Sequence, residues 1–146
     1  MGKMKYEKYI VTELKAPEWR VNLRKGKPKI GDLTLWLDDD VVKGACHVEC
    51  TWMWPGVNLI NHGAHTHEYD EIVGFFGSKQ EDTHDLCGEI EWWLGDEKYI
   101  LTKSCMIFVP KGLQHAPLIV HRVDKPIFHF TIMHTPRYAS KMVNPK

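Results

Sequence analysis

Glu89-Ile90-Glu91-Trp92-Trp93-Leu94, then Gly95-Asp96-Glu97, then Lys98-Tyr99-Ile100-Leu101-Thr102: this stretch decides the fold class. Two runs rich in aromatic and β-branched residues flank a short Gly-Asp turn, which predicts a β-hairpin. The next run, Cys105-Met106-Ile107-Phe108-Val109, is stopped by Pro110-Lys111-Gly112, again turn chemistry. Working outward, strand-like segments recur at GDLTLWL (31–37), HVECTWMW (47–54), EIVGFFG (71–77), HAPLIVHRV (115–123) and PIFHFTIMH (126–134). Many short strands and hardly a helical pattern predict an all-β sandwich or barrel.

At 146 residues there is room for one domain. Three regions are expected: an N-terminal extended arm (1–28) punctuated by Pro17, Gly26 and Pro28, a barrel (29–138) and a loose C-terminal tail (139–146). Nineteen basic and nineteen acidic side chains cancel, which argues against a nucleic-acid or anionic-membrane surface. No apolar run approaches the ~20 residues that span a bilayer, and the first residues lack a signal-peptide core. Cys46, Cys50, Cys87 and Cys105 form no C-x2-C pair, and Cys46 and Cys50, four apart, share one face of a strand. They are read as buried, reduced structural thiols of a cytoplasmic protein.

The chemistry concentrates in His65-Thr66-His67-Glu68-Tyr69-Asp70-Glu71. His65 and His67 are two apart, so in an extended strand both imidazoles leave the same face. Glu71 keeps that parity. Two imidazoles and a carboxylate from one segment suit a divalent metal. The second piece is Pro110-Lys111-Gly112-Leu113-Gln114-His115.

Together these two pieces resemble the cupin superfamily, small barrels of jelly-roll type, also called double-stranded β-helices. Its motifs are written G-x5-H-x-H-x(3,4)-E-x6-G and G-x5-P-x-G-x2-H-x3-N; His65, His67 and Glu71 fit the first, Pro110, Gly112 and His115 the second. Leu59, Ser78, Ser104 and Ile119 stand at four turn or packing positions where the motifs have Gly or Asn, although Gly77 adjoins Ser78. The resemblance covers about 54–115, is compatible to about His134, and leaves out the arm. It implies that His65, His67, Glu71 and His115 converge inside the barrel on one divalent transition metal: Fe, Mn, Ni, Zn or Cu. Open coordination positions would then take oxygen atoms of a small organic substrate.

The remaining candidates are weighed individually. Even positions of 47–54 are Val48, Cys50, Trp52 and Trp54; odd positions are His47, Glu49, Thr51 and Met53, implying one buried and one more polar face. Trp52 and Trp54 share a face and are expected near the metal as substrate-pocket wall. Adjacent Trp92 and Trp93 face opposite ways, so they do not both line a pocket. Tyr69, on the parity of His67, and His129, mid-strand, are the catalytic acid–base candidates. Asp70 is a candidate partner for a ligating histidine. His62 and His84 read as loop residues, His47, His121 and His134 as strand-surface residues, and Asp38-Asp39-Asp40 as a solvated turn. The long loop between Gly77 and Gly88 is a candidate lid or partner contact.

The expected function is a metal-dependent small cupin enzyme with dioxygenase, isomerase, decarboxylase or lyase chemistry. The alternative is a non-catalytic, metal-anchored module that binds or senses a small molecule. A homodimer is expected, because the arm has no evident place on a minimal barrel and sheet edges need cover.

Overall fold

The computed structural model describes residues 2, 4–22, 31–56, 59–61, 63–139 and 141–142, with 59–61 and 141–142 described by backbone alone. His62, residues 23–28 of the arm, and 140 and 143–146 of the tail lie outside the described residues. The elements are α1 (Glu18–Asn22), β1 (Gly31–Leu37), β2 (His47–Met53), β3 (Leu59–Asn61), β4 (His65–Thr66), β5 (Glu71–Gly77), β6 (Asp85–Leu94), β7 (Glu97–Lys103), β8 (Cys105–Val109), β9 (His115–Val123), β10 (Ile127–Met133) and β11 (Lys141–Met142). Two antiparallel sheets face each other, one ordered β1-β2-β10-β5-β8, the other β11-β4-β9-β6-β7 with β3 also on β9. This is the all-β barrel that the strand pattern predicts, with the β6–β7 hairpin turning at Gly95, whose φ is 60°.

One end of the barrel is packed solid. Phe75, Leu86, Ile90, Val123 and Ile127 are each 5% exposed or less and belong to one apolar cluster. Alternation along β6 sends Leu86, Gly88, Ile90 and Trp92 inward. Trp93 faces away, its indole N–H bonded to Glu91 at 2.7 Å. Gly77 ends β5 against this packed end. A Cβ there would sit 2.1 Å from the Asp85 carbonyl oxygen, so the close approach of β5 to β6 requires glycine. Ser104, at a position where the cupin motif has glycine, accepts the Gly77 N–H at 2.9 Å and donates to the Thr83 carbonyl at 2.6 Å.

Several expectations are corrected. The 78–84 loop leaves β5 at Gly77, at the opposite end of that strand from Glu71, so it is placed away from the ligand end and does not cover it. The tail is not loose at 141–142: those residues pair with β4, Met142 opposite His65. The arm finds a place on its own barrel. Trp19 of α1 stacks edge-on to Trp36 at 5.9 Å, and Arg20 pairs with Glu49 at 2.8 Å. That removes one of the two reasons for expecting a dimer. Cys46 is exposed and the other cysteines are half-buried, so none is a fully buried thiol. His47 is 0% exposed and is not a surface residue. Asp38, 6% exposed, is the buried member of its triplet and accepts the Trp36 indole N–H at 2.8 Å.

Candidate metal centre

The ligand end is assembled by strand register. His65 on β4 lies directly opposite His115 on β9, and Glu71 opens β5. The turn at Pro110–Gly112 fixes the rest. Leu113 N–H closes it on the Pro110 carbonyl at 3.0 Å, Gly112 sits at φ 82°, and its N–H reaches the His67 carbonyl at 2.9 Å. The two motifs are thereby tied to each other. Asp70 accepts the Lys111 backbone N–H at 2.8 Å, so its carboxylate holds that turn and not a ligating imidazole.

Each histidine is oriented the same way. Nδ1 of His65, His67 and His115 donates to the carbonyls of Gly63, Ala139 and Leu113 at 2.8, 2.6 and 2.9 Å. A carbonyl only accepts, so Nδ1 carries the proton and Nε2 of a neutral ring is the lone pair facing inward. One ligand atom from each ring lies within 4.8 Å of the others. Glu71 Oε2 lies 2.9 Å from His115 Nε2 and 3.2 Å from His67 Nε2. Those three atoms are buried without a hydrogen-bond partner. Acceptors converging on acceptors need a cation between them. Burial works to raise the Glu71 carboxyl, but the His115 and His67 imidazoles beside it outweigh burial and hold it at about 2. Burial pushes His65 down to about 4, which keeps its ring neutral and able to ligate. A divalent ion of the imidazole-binding series fits this donor set.

Beside the histidines is a cavity of about 100 Å³, room for several waters or a small organic molecule. Its lining includes His65, Glu71, His115, Trp92, His129 and Tyr138. His129 is therefore brought to the site. Its Nδ1 donates to the Gly74 carbonyl at 3.0 Å, its ring stacks on Phe75, and burial lowers its pKa, leaving Nε2 as a neutral proton acceptor. Tyr69 is placed differently, because 67–70 bends out of strand geometry and parity no longer holds. Its hydroxyl donates to the Ala139 carbonyl and accepts the Ala139 N–H, its ring stacks on His67 at 4.9 Å, and burial raises it to about 12. It is not among the lining residues.

Trp52 and Trp54 do not line the cavity. They stack on each other at 5.8 Å on the outer face of β2, where Trp54 bonds Asp32 at 2.7 Å and is 37% exposed. The inward face of β2 is the polar-looking one: His47 and Met53 are buried, and Glu49, Thr51 and Met53 line the cavity. The sequence reading paired polar with outside, and a barrel with a hydrophilic chamber inverts that. Arg20, Glu49 and Thr131 line the cavity without having been expected there, although alternation from Met53 back along the strand would have found Glu49 once one inward residue was known.

No protein-family model matches the sequence, and no curated protein matches it. Solved structures do match in shape. Peruvianin-I, a cysteine peptidase from Thevetia peruviana latex, superposes with TM-score 0.56 at 13% identity, over 96% of this chain and 80% of that one. A recombinant oxalate oxidase in complex with glycolate gives TM-score 0.55 at 13% identity, over 92% and 63%. An uncharacterised double-stranded β-helix protein from Klebsiella pneumoniae gives 0.51 at 11%, over 83% and 90%. The chain thus spans somewhat less than two thirds of the oxalate oxidase it matches. These likenesses place the chain in the double-stranded β-helix class. Its fold is that of the cupins, with the three-histidine cluster at the cupin ligand positions. A fold that is shared by a peptidase and an oxidase does not choose a chemistry. No helix among the described residues is long and apolar enough to cross a membrane.

Proposed function

We propose that this chain is a metal-dependent cupin enzyme acting on a small organic substrate, with His65, His67, Glu71 and His115 holding one divalent transition ion. The observation that carries the reading is the convergence of three buried, partnerless acceptors, His67 Nε2, His115 Nε2 and Glu71 Oε2. A bound ion would supply Lewis-acid or redox activation of oxygen ligands on its open positions. The chain's own residues do the rest. Trp92, Val73 and Leu118 exclude water from the chamber, and His129 accepts or returns a proton there. His129 in the chamber favours an enzyme over a module that only binds.

The test is the metal content of tag-free protein, with His65→Ala, His67→Ala and His115→Ala beside wild type. About one transition ion per chain, lost in the variants, supports the reading. Wild type that takes up no ion after anaerobic reconstitution would sink it.

A further inference from the structure

A second polar cluster faces the metal ligands across the cavity. Register places Glu49 beside Thr131, and Thr131 beside Val73, two residues along β5 from Glu71. Strand spacing then separates the Glu49 and Glu71 backbones by about 12 Å. Glu49 Oε1 accepts the Arg20 Nε–H at 2.8 Å, and its Oε2 lies 3.2 Å from His47 Nε2. Burial alone would raise the Glu49 carboxyl, but the His47 bond and Arg20 hold it below its ordinary value. His47 is in turn fixed edge-on against Trp36 at 4.3 Å. Arg20 thus arrives from α1 with its side chain 12% exposed and anchored through Nε. No hydrogen bond or ion pair joins its two Nη groups to the described residues.

Among the described residues lining the cavity, the fixed charges are Arg20, Glu49 and Glu71. With a divalent ion on the ligands the chamber carries one net positive charge; without it, one net negative charge. We infer that Arg20 is a specificity-determining residue, and that the substrate is a small organic acid whose far carboxylate pairs with the Arg20 Nη groups while its other end chelates the ion. The inference rests on the metal reading. A planar carboxylate matches the fork of the guanidinium, and with the ion bound the chamber is positive and receptive to an anion. The arm, absent from the cupin motifs, is what closes this pocket with the charge that selects its ligand.

The test uses the full chain loaded with Co(II), whose visible absorption reports chelation separately from affinity. Malate and 2-hydroxyglutarate are titrated against their terminal monoamides, which keep shape and chelating oxygens but lose the distal charge. Wild type should bind the better-fitting acid roughly 10- to 100-fold tighter than its amide. Arg20→Met should erase that preference and leave the amide's affinity and the cobalt spectrum in place. Arg20→Lys should restore part of it, and thermal melts confirm that both variants are folded. Equal binding of acid and amide, no binding of either acid, or a preference that survives in Arg20→Met overturns the inference while cobalt uptake still stands. Absence of cobalt uptake overturns the metal reading, and this inference with it.

Discussion

His115→Ala is the sharpest perturbation of the proposed centre. His115 is 1% exposed, its Nδ1 donates to Leu113, and its Nε2 is one of the orphaned acceptors. An ion present at about 1,000 times its Kd stabilises the folded chain by ~4 kcal/mol. For 146 residues the unfolding entropy is about 0.3 kcal/mol/K, so the wild-type Tm should rise by about 13 °C on metal loading. If loss of this ligand weakens binding a hundredfold, the same free metal contributes only ~1.4 kcal/mol, or about 5 °C. The variant also loses metal-free stability through its cavity, about 2–4 kcal/mol, so the baseline must be separated from the increment. Leu86→Ala provides the control. Leu86 is 0% exposed in the solid end of the barrel, and its truncation costs about 2–5 kcal/mol without touching a ligand. Scanning calorimetry of the three proteins, with Zn(II) buffered and with chelator, should show a full increment in wild type and Leu86→Ala and a reduced one in His115→Ala. A full increment in His115→Ala, or none in wild type, would refute the reasoning.

Truncation after Tyr138 removes the Ala139 carbonyl that orients His67; chelator competition should show metal affinity about 10- to 100-fold weaker, and unchanged affinity would contradict that role. Gly77→Ala drives a Cβ to 2.1 Å from the Asp85 carbonyl oxygen, so Tm should fall by about 3–10 °C while metal content stays that of wild type. His65, at about 4, and His129 are both held below the ordinary 6.5 by burial. Stability from a histidine buried neutral is fully present above its unfolded pKa and is lost as pH falls through that value toward the folded one. The metal-free Tm should therefore drop between pH 7 and 5, and His129→Gln should make the drop shallower; parallel profiles would exclude His129 as a contributor.

The candidate ligands were legible because their spacing is local. His65 and His67 are two apart and their rings converge with that of His115, and Pro110, Gly112 and His115 occupy one turn and the strand start after it. The chamber wall was not. Arg20 meets Glu49 across 29 residues, and His67 meets Ala139 across 72, separations that leave no periodic trace. In β1 an irregularity between Leu33 and Leu35 shifts the register, so Leu33 and Trp36 both turn inward where strict alternation would have paired Leu33 with Leu35. The two-residue period did say which side chains share a face of β2. It did not say which face is inside, because hydrophobicity, the usual arbiter, points the wrong way there.

The same inversion recurs in β10 and explains how the barrel affords a polar chamber. Its inward side carries Ile127, His129, Thr131 and Met133, while Phe128 and Phe130 pack outside with Trp52. The ring of Phe130 lies across Gly74, where a Cβ would meet it at 2.2 Å. Along both strands the interior changes character with height: Ile127 belongs to the apolar cluster and Met53 to its border with the cavity, whereas Glu49 and Thr131 belong to the cavity. Burial of Phe75, Leu86, Ile90 and Ile127 at one end stabilises the sheets whatever fills the other. That division lets His129, Glu49 and the ligating histidines be chosen for chemistry, at a cost to stability that the packed end offsets. It also requires that variants of the packed end lower melting and leave binding in place, whereas variants of the chamber change binding. That contrast separates a functional site from a merely tolerated polar core.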